Sequence, residues 1–203
     1  MHLRIGIPAY RSIVDVKTAF CLSGIMYLSK VRNWEISFSS VDNPNIDKAR
    51  NKLMYDALNV CPNADWFLSI DSDNNAPPHQ VIQMIEDAIK MSNNCSIIGA
   101  PYKSRAGGLA MTMEGNKQVM GISGSKGIFP IDAIGFGMAL FNLDWIRSNW
   151  PNKNGPWFKT IQLEKAESLT EDFVFCEEVK KLGGSIWCDS RVDCGHETNR
   201  VRG

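Results

Sequence analysis

The run Trp66-Phe67-Leu68-Ser69-Ile70 constrains the fold more than any other segment. It is apolar on both of its alternating sides, as a strand covered on two faces must be. Helical spacing flanks it on both sides. Upstream, between Asp47 and Val60, apolar residues recur at Ala49, Leu53, Met54, Ala57, Leu58 and Val60. Downstream, Val81, Ile82, Ile85, Ala88 and Ile89 form a second apolar face, and Pro77-Pro78 suits its start. The alternation extends outward. Leu3–Pro8 reads as a strand, Val14–Val31 as a weakly amphipathic helix, Trp34–Val41 as an alternating strand and Ser96–Ala100 as a buried one. This βαβαβαβ order predicts an α/β domain with a Rossmann-like, mostly parallel sheet between helical layers.

The second half is less regular. Residues 104–130 are rich in Gly, Ser and Met and predict irregular or antiparallel structure, the small antiparallel portion of the fold. Ile131–Phe141 reads as a strand interrupted at Gly135-Phe136-Gly137, and 148–168 reads as a loop. Thr170–Leu182 has helical spacing, with Thr170 at its cap and Gly183-Gly184 as its stop; Ser185–Cys188 is a last short strand. With 203 residues and no internal repeat or linker, one domain is expected. Its halves divide near residues 103 and 104.

Composition excludes several classes. Twenty-two basic and 22 acidic side chains cancel, so no global field draws the chain to nucleic acid. No apolar run is long enough to span a bilayer, and the start, MHLRIGIPAYRS, reads as a strand and not as a signal peptide. Six dispersed cysteines fit reduced thiols and a cytoplasmic location. Cys188, Cys194 and His196 lack a C-x-x-C knuckle, which argues against structural zinc.

The strand at 66–70 ends in Asp71-Ser72-Asp73. If it extends to them, Asp71 and Asp73 project to one side and Ser72 to the other. They stand at a strand's carboxyl end, where open α/β sheets bind ligands. Paired carboxylates there suit Mg²⁺ or Mn²⁺ with phosphate oxygens completing the shell; a plain strand-to-helix turn is the competing reading. An EF-hand is excluded, because Ala76 and Ile82 occupy the positions of its glycine and glutamate.

Five segments in order resemble the GT-A glycosyltransferases, specifically the small family 2 type of bacteria, phages and large DNA viruses. They are RIGIPAY, the ARN of DKARNKL (Ala49, Arg50, Asn51), FLSIDSD, IDAIGFGMALF and TEDFVFCEEVKKLGGSIWCDSRVDCGHE. The resemblance implies a nucleotide-sugar donor, a UDP-sugar, lying across the strand ends. It makes Asp73 the main metal ligand, His196 the distant second ligand, and Asp71 a contact to ribose or, through water, to the metal. Imidazole beside carboxylates favours Mn²⁺ over Mg²⁺. Asp172 resembles the base of inverting enzymes, with Glu171 in support; acids in a first helical turn also complement the helix dipole.

Along the donor the resemblance places Pro8, Ala9, Tyr10 and Asp15 after the first strand. Arg50, Asp71, Ser72, Gly135, Phe136 and Gly137 follow. Ser12 and Asp15 suit either a base contact or a helix cap. Gly135 and Gly137 suit close approach of a sugar or a bulge. Lys103 and Arg105 are further phosphate candidates, and Trp157 an acceptor or lid candidate; Trp145 reads as core. Implied acceptors are a glycan, a glycoprotein such as a viral capsid protein, or a lipid-linked sugar, with the host cytoplasm as the location if the source is viral. The chain could be one module of a longer polypeptide. Rival readings are a sugar nucleotidyltransferase, disfavoured because IPAYRSIVD lacks a Gly-rich basic loop, a non-catalytic nucleotide- or glycan-binding module, and a structural domain.

Overall fold

The computed structural model describes residues 1–91, 94–103, 108–113, 117–118, 127–162 and 168–196. In chain order the first half runs β1 (His2–Pro8), α1 (Val16–Val31), β2 (Glu35–Val41), α2 (Ile46–Tyr55), β3 (Trp66–Ile70), β4 (Asn74–Asn75), α3 (Pro78–Met91) and β5 (Ile97–Gly99). The second runs β6 (Met111–Met113), β7 (Lys117–Gln118), β8 (Ile128–Pro130), β9 (Ala133–Ile134), β10 (Met138–Asn142), α4 (Leu143–Asn149), β11 (Ile161–Gln162), β12 (Ser168–Leu169), α5 (Glu171–Lys181), β13 (Ile186–Asp189) and β14 (Gly195–His196).

Seven strands form the central sheet in the order β2-β1-β3-β10-β5-β13-β8. β1 pairs in parallel with β2 and β3, and β5 with β13. β10 runs antiparallel between β3 and β5, and β8 antiparallel at the edge beside β13. The sheet is therefore mixed but mostly parallel, an α/β architecture of the expected kind. A small three-stranded antiparallel sheet, β7-β6-β9, stands apart from it.

Period-two alternation divides the core into two layers. Trp66, Leu68 and Ile70 of β3 face one side with Leu140 of β10, Ile98 of β5, and Ile25, Val81 and Ile82 of α1 and α3. Phe67, Phe141 and Ile97 face the other, against Leu53 and Met54 of α2, Ile146 of α4 and Phe175 of α5. Because β3 is covered on both faces, its sequence lacks a polar side.

Three expectations needed correction. The strand at Ile131–Phe141 is two strands in different sheets: β9 pairs with β6, and β10 with β3 and β5. The helix expected over Asp47–Val60 ends at Tyr55, and Asp56–Val60 continues as one wider π turn. The loop expected from 148 begins inside α4, a seven-residue helix capped by the Asn142 side chain, which accepts from the Trp145 N–H at 3.0 Å. All six cysteines are free thiols, and among the described residues no helix is long and apolar enough to cross a membrane.

Candidate active site

The aspartates do not share a strand face. β3 ends at Ile70, and Asp71–Asn74 is a turn closed by the Asn74 N–H on the Asp71 carbonyl at 3.0 Å. The two carboxylates diverge, Asp71 toward α2 and α5 and Asp73 toward the end of the chain. Ser72 is buried, and its carbonyl accepts from the Asp15 N–H at 2.8 Å.

Arg50 binds the first branch together. The 3.6-residue period of α2 turns Ala49, Arg50, Leu53 and Met54 inward, so Arg50 is only 4% exposed. Its Nη2 donates to both oxygens of Asp71, at 2.9 and 3.0 Å, and its Nη1 donates to Oε1 of Glu171, 121 residues away in sequence. The guanidinium lies 5.8 Å from the centre of the Phe136 ring. A planar fork can serve two acids at once, where an ammonium could not. Burial opposes charge on Arg50, yet the carboxylates of Asp71, Glu171 and Asp172 hold its pKa above the usual arginine value. Burial raises Asp71; Arg50 pulls it back, and Asp73 and Asp172 add to the rise. Burial, offset by Arg50 and reinforced by Asp172, pushes Glu171 up from 4.5 to about 7.

That last shift has a defined sign. The folded protein holds the Glu171 proton to higher pH than the unfolded chain does, so the stability this group contributes is complete below pH 4.5 and is lost as pH rises through about 7. The span corresponds to about 3 kcal/mol. Urea unfolding should therefore show wild-type stability falling between pH 5 and pH 8, and Glu171→Gln should flatten that slope. Parallel slopes for the two proteins would refute the assignment.

The second branch joins Asp73 to His196. β14 pairs antiparallel with β4, placing His196 opposite Asn74. His196 Nε2 then lies 3.7 Å from Asp73 Oδ2. Its Nδ1 lies 3.0 Å from the Lys103 carbonyl, which can only accept, so Nδ1 carries a proton and Nε2 is the nitrogen that faces Asp73. Tyr102 packs edge-on against the imidazole, ring centres 5.6 Å apart. Its hydroxyl accepts from the Gly137 N–H at 3.2 Å, and the Gly137 carbonyl accepts from the Asp71 N–H at 2.9 Å. Gly135 and Gly137 serve this contact: a Cβ on either would lie within 2.9 Å of the Tyr102 side chain. The glycines thus make room for a tyrosine that braces both branches.

The acid pair opens α5, and its members do different things. Glu171 is spent on Arg50. Asp172 is 9% exposed; its Oδ1 accepts from the Phe173 N–H at 2.9 Å and from the Thr170 hydroxyl. Its Oδ2 has no hydrogen-bond partner among the described residues. Thr170 holds the cap position in backbone angles, but its side chain bonds Asp172 and not the helix N–H groups.

Other candidates separate. Pro8 ends β1, Ala9 is buried with its N–H on the Val41 carbonyl at 3.0 Å, and Tyr10 is half-exposed beneath the Arg11 guanidinium. Arg11 and Ser12 adopt left-handed φ of 59° and 54°, a costly conformation for side-chain-bearing residues. Asp42 holds them, accepting from the Arg11 N–H at 2.8 Å and the Ser12 hydroxyl at 3.2 Å. Asp15 caps α1 through the Lys17 N–H at 2.8 Å. Phe136 is fully buried among Phe141, Phe158 and Phe175, so it supports Arg50 from the core and does not line a donor site. Trp157, 2% exposed, is likewise core, and its backbone N–H donates to Asn51 Oδ1 at 2.7 Å. Trp145 packs partly buried against the same core. Cys188 is buried beside Met111, and among the described residues it joins no group of three His, Cys, Asp or Glu side chains that could hold a metal. Lys103 presents its carbonyl to the site; Arg105 lies outside the described residues. Sequence reasoning missed Asp42 and Tyr102, neither of which carries a local signal, and named Asn51 only as part of the ARN segment.

No family model matches the sequence, and a search of curated proteins returned no match. Solved structures do match. Protein A197 from STIV aligns with TM-score 0.63 at 14% identity, covering 98% of this chain and 87% of that one. A glycosyltransferase involved in glycosylation of the major capsid of PBCV-1 aligns at 0.52 and 13%, covering 98% and 95%. TarS residues 1–349 from S. aureus, in complex with UDP-GlcNAc, aligns at 0.56 and 12%, covering 100% of this chain but only 60% of that one. The chain has the GT-A fold these structures share.

Proposed function

We propose that the chain is a metal-dependent glycosyltransferase that moves a sugar from a UDP-sugar to a hydroxyl of a glycan or glycoprotein, inverting the anomeric centre. The observation that carries this reading is the meeting of Asp73 and His196 beside the Asp71–Arg50–Glu171 cluster, at the carboxyl ends of the parallel strands. The GT-A fold supports it.

The residues fit a divalent cation. Two groups each about 2.1 Å from one cation lie no more than about 4.2 Å apart, and Asp73 and His196 lie 3.7 Å apart. His196 gives its ring N–H to a backbone carbonyl, as metal-binding histidines do. Asp71, Glu171 and Asp172 act on one guanidinium, and Asp73 stands close enough to act on Asp71, an excess of negative charge that a cation offsets. Among the described residues no group of three His, Cys, Asp or Glu side chains is arranged to hold a metal. Asp73 and His196 would hold Mn²⁺, or Mg²⁺, with diphosphate oxygens and water as the other ligands. When bound, the cation supplies Lewis-acid stabilisation of the departing diphosphate.

The chain's own groups do the rest. Asp172 Oδ2 takes the proton of the acceptor hydroxyl as that oxygen attacks. Arg50 fixes Asp71 and Glu171, so the ribose side of the site and the first turn of α5 keep one spacing. Tyr102 holds the His196 ring in the orientation that offers Nε2.

Thermal unfolding with UDP-, GDP- and dTDP-sugars, with and without Mn²⁺, tests the reading. A ligand at about 100 times its Kd stabilises the native state by about 2.7 kcal/mol. Stabilisation is expected from one base only, only with Mn²⁺, and is expected to vanish in Asp73→Ala. A flat panel for the wild type would overturn the proposal.

A further inference from the structure

Eight of the twelve exposed large apolar side chains among the described residues lie between Tyr10 and Phe38, so the apolar surface is concentrated on α1 and the segments beside it. Val16, Phe20, Tyr27 and Val31 recur at spacings of four, seven and four, which places them on one line along the helix. Phe20 and Tyr27 are 71% and 69% exposed, and the two valines 63% each. The opposite face of α1 buries Cys21, Leu22 and Ile25 in the layer that holds Ile5 of β1 and Val81 of α3. The helix is thus apolar on two sides and packed on one, which is why its sequence looked only weakly amphipathic. A surface helix ordinarily turns charge outward. The charge here is also one-sided. Tyr10–Trp34 holds Arg11, Lys17, Lys30 and Arg32 against a single acid, Asp15, in a chain whose charges cancel. Asp15 is spent as the cap on the Lys17 N–H. From outside the segment, Glu86 pairs with Arg32 at 2.5 Å and Asp42 holds the Arg11 N–H at 2.8 Å. Lys17 and Lys30 are exposed at the two ends of the apolar line.

We propose that this face of α1 seats the protein on an anionic lipid surface, with Phe20 and Tyr27 at the acyl boundary and the lysines among the headgroups. A helix lying in the membrane interface combines an apolar line with flanking cations in this way. A second copy of the chain fits less well. Sixteen residues of helix present about 24 Å by 10 Å, roughly 240 Å², well below the about 800 Å² per partner of a stable interface. A two-fold across the middle of α1 would also set Lys17 of each copy against Lys30 of the other, and α1 has no acid to separate them. Headgroup phosphates and carboxylates answer those cations instead. The seat bears on the candidate site. The Asp15 N–H donates to the Ser72 carbonyl and the Thr18 hydroxyl to the Asn74 carbonyl, each at 2.8 Å. The amino end of α1 is therefore tied to the turn that carries Asp71 and Asp73, and a seated helix holds that turn about one helix diameter, roughly 10 Å, from the lipid.

The test is flotation of the full chain with vesicles of phosphatidylcholine, alone or with about 30% phosphatidylserine, at about 0.1 M salt. The wild type should bind the mixed vesicles, and the neutral ones at least tenfold more weakly. The double variant Phe20→Ser, Tyr27→Ser should lose at least tenfold in binding, and Lys30→Ala about fivefold. Ile161→Ser, which changes an exposed apolar residue on β11, should bind as the wild type does. Urea unfolding of each variant should match the wild type, since every changed side chain is exposed; if the double variant is unstable, Lys30→Ala alone decides. No flotation of the wild type would overturn the proposal. So would equal binding to the two kinds of vesicle, or unchanged binding in both the double variant and Lys30→Ala. Sedimentation velocity provides the remaining arm: a wild-type dimer that the double variant abolishes would assign this face to a second copy and overturn the lipid seat. The assay contains no sugar nucleotide or metal, so its outcome is independent of glycosyl transfer.

Discussion

Arg50→Ala should cost about 3–5 kcal/mol of stability, the largest loss expected from any single change near the site. The reason is the company Arg50 keeps. Removing one partner of a buried ion pair leaves the other charge uncompensated, and losses of about that size follow. Here two carboxylates lose their partner at once, Asp71 with its two hydrogen bonds and Glu171 with its one. Arg50→Lys should fall between, because an ammonium cannot reproduce the fork that reaches both acids. The deficit should shrink from pH 8 to pH 5, since Glu171 then takes up a proton and no longer needs the cation. Replacing the whole cluster, as in Arg50→Met with Asp71→Asn and Glu171→Gln, should recover most of the loss. Chemical unfolding of the three variants at the two pH values decides it. A loss under about 1 kcal/mol in Arg50→Ala would show that water enters and solvates the acids, and that the cluster is not the rigid link described.

Much of the fold was legible because its causes are local. β3 was readable residue for residue, since a strand covered on both faces must be apolar throughout. α1, β2, α3, α5 and β13 fell within a few residues of their expected bounds, each marked by a period, a proline or a glycine pair. β10 was not legible as an antiparallel insertion between β3 and β5. Its apolar run suits either direction, and the choice is made by partners some 40 and 70 residues away. α4 is too short to show a period, and β4 and β14, of two residues each, show none at all.

The site divides in the same way. Asp71 and Asp73 were visible as residues, but the strand stops before them, so alternation misjudged their directions. His196 came only from resemblance; nothing in its spacing announces that β14 returns to β4. Arg50 was read as a donor contact. Its engagement with Asp71 and Glu171 depends on α2 and α5 meeting over Phe136, a tertiary event with no sequence signature. The glycines of Gly135-Phe136-Gly137 were read as room for a sugar or as a bulge, and the side chain packed against them is Tyr102, 35 residues away in sequence.

Asp172→Asn should lower kcat by about 10²–10⁴ and leave donor binding unchanged. The substitution keeps volume and keeps an acceptor for the Phe173 N–H and the Thr170 hydroxyl, the two bonds that seat the side chain at the start of α5. What it removes is the charge, and with it the ability of the second oxygen to accept a proton. Stability should therefore move little at either pH, in contrast to Glu171→Gln, which removes the group behind the pH slope. The contrast separates two adjacent acids that first-turn statistics treat alike: one is the counter-ion of Arg50, the other the proposed base. Steady-state transfer on the best donor, beside thermal-shift titration of that donor with Mn²⁺, measures both quantities. Retention of kcat in Asp172→Asn would move the base elsewhere. An equal loss of donor binding would make Asp172 a ligand-ordering residue and not a proton acceptor.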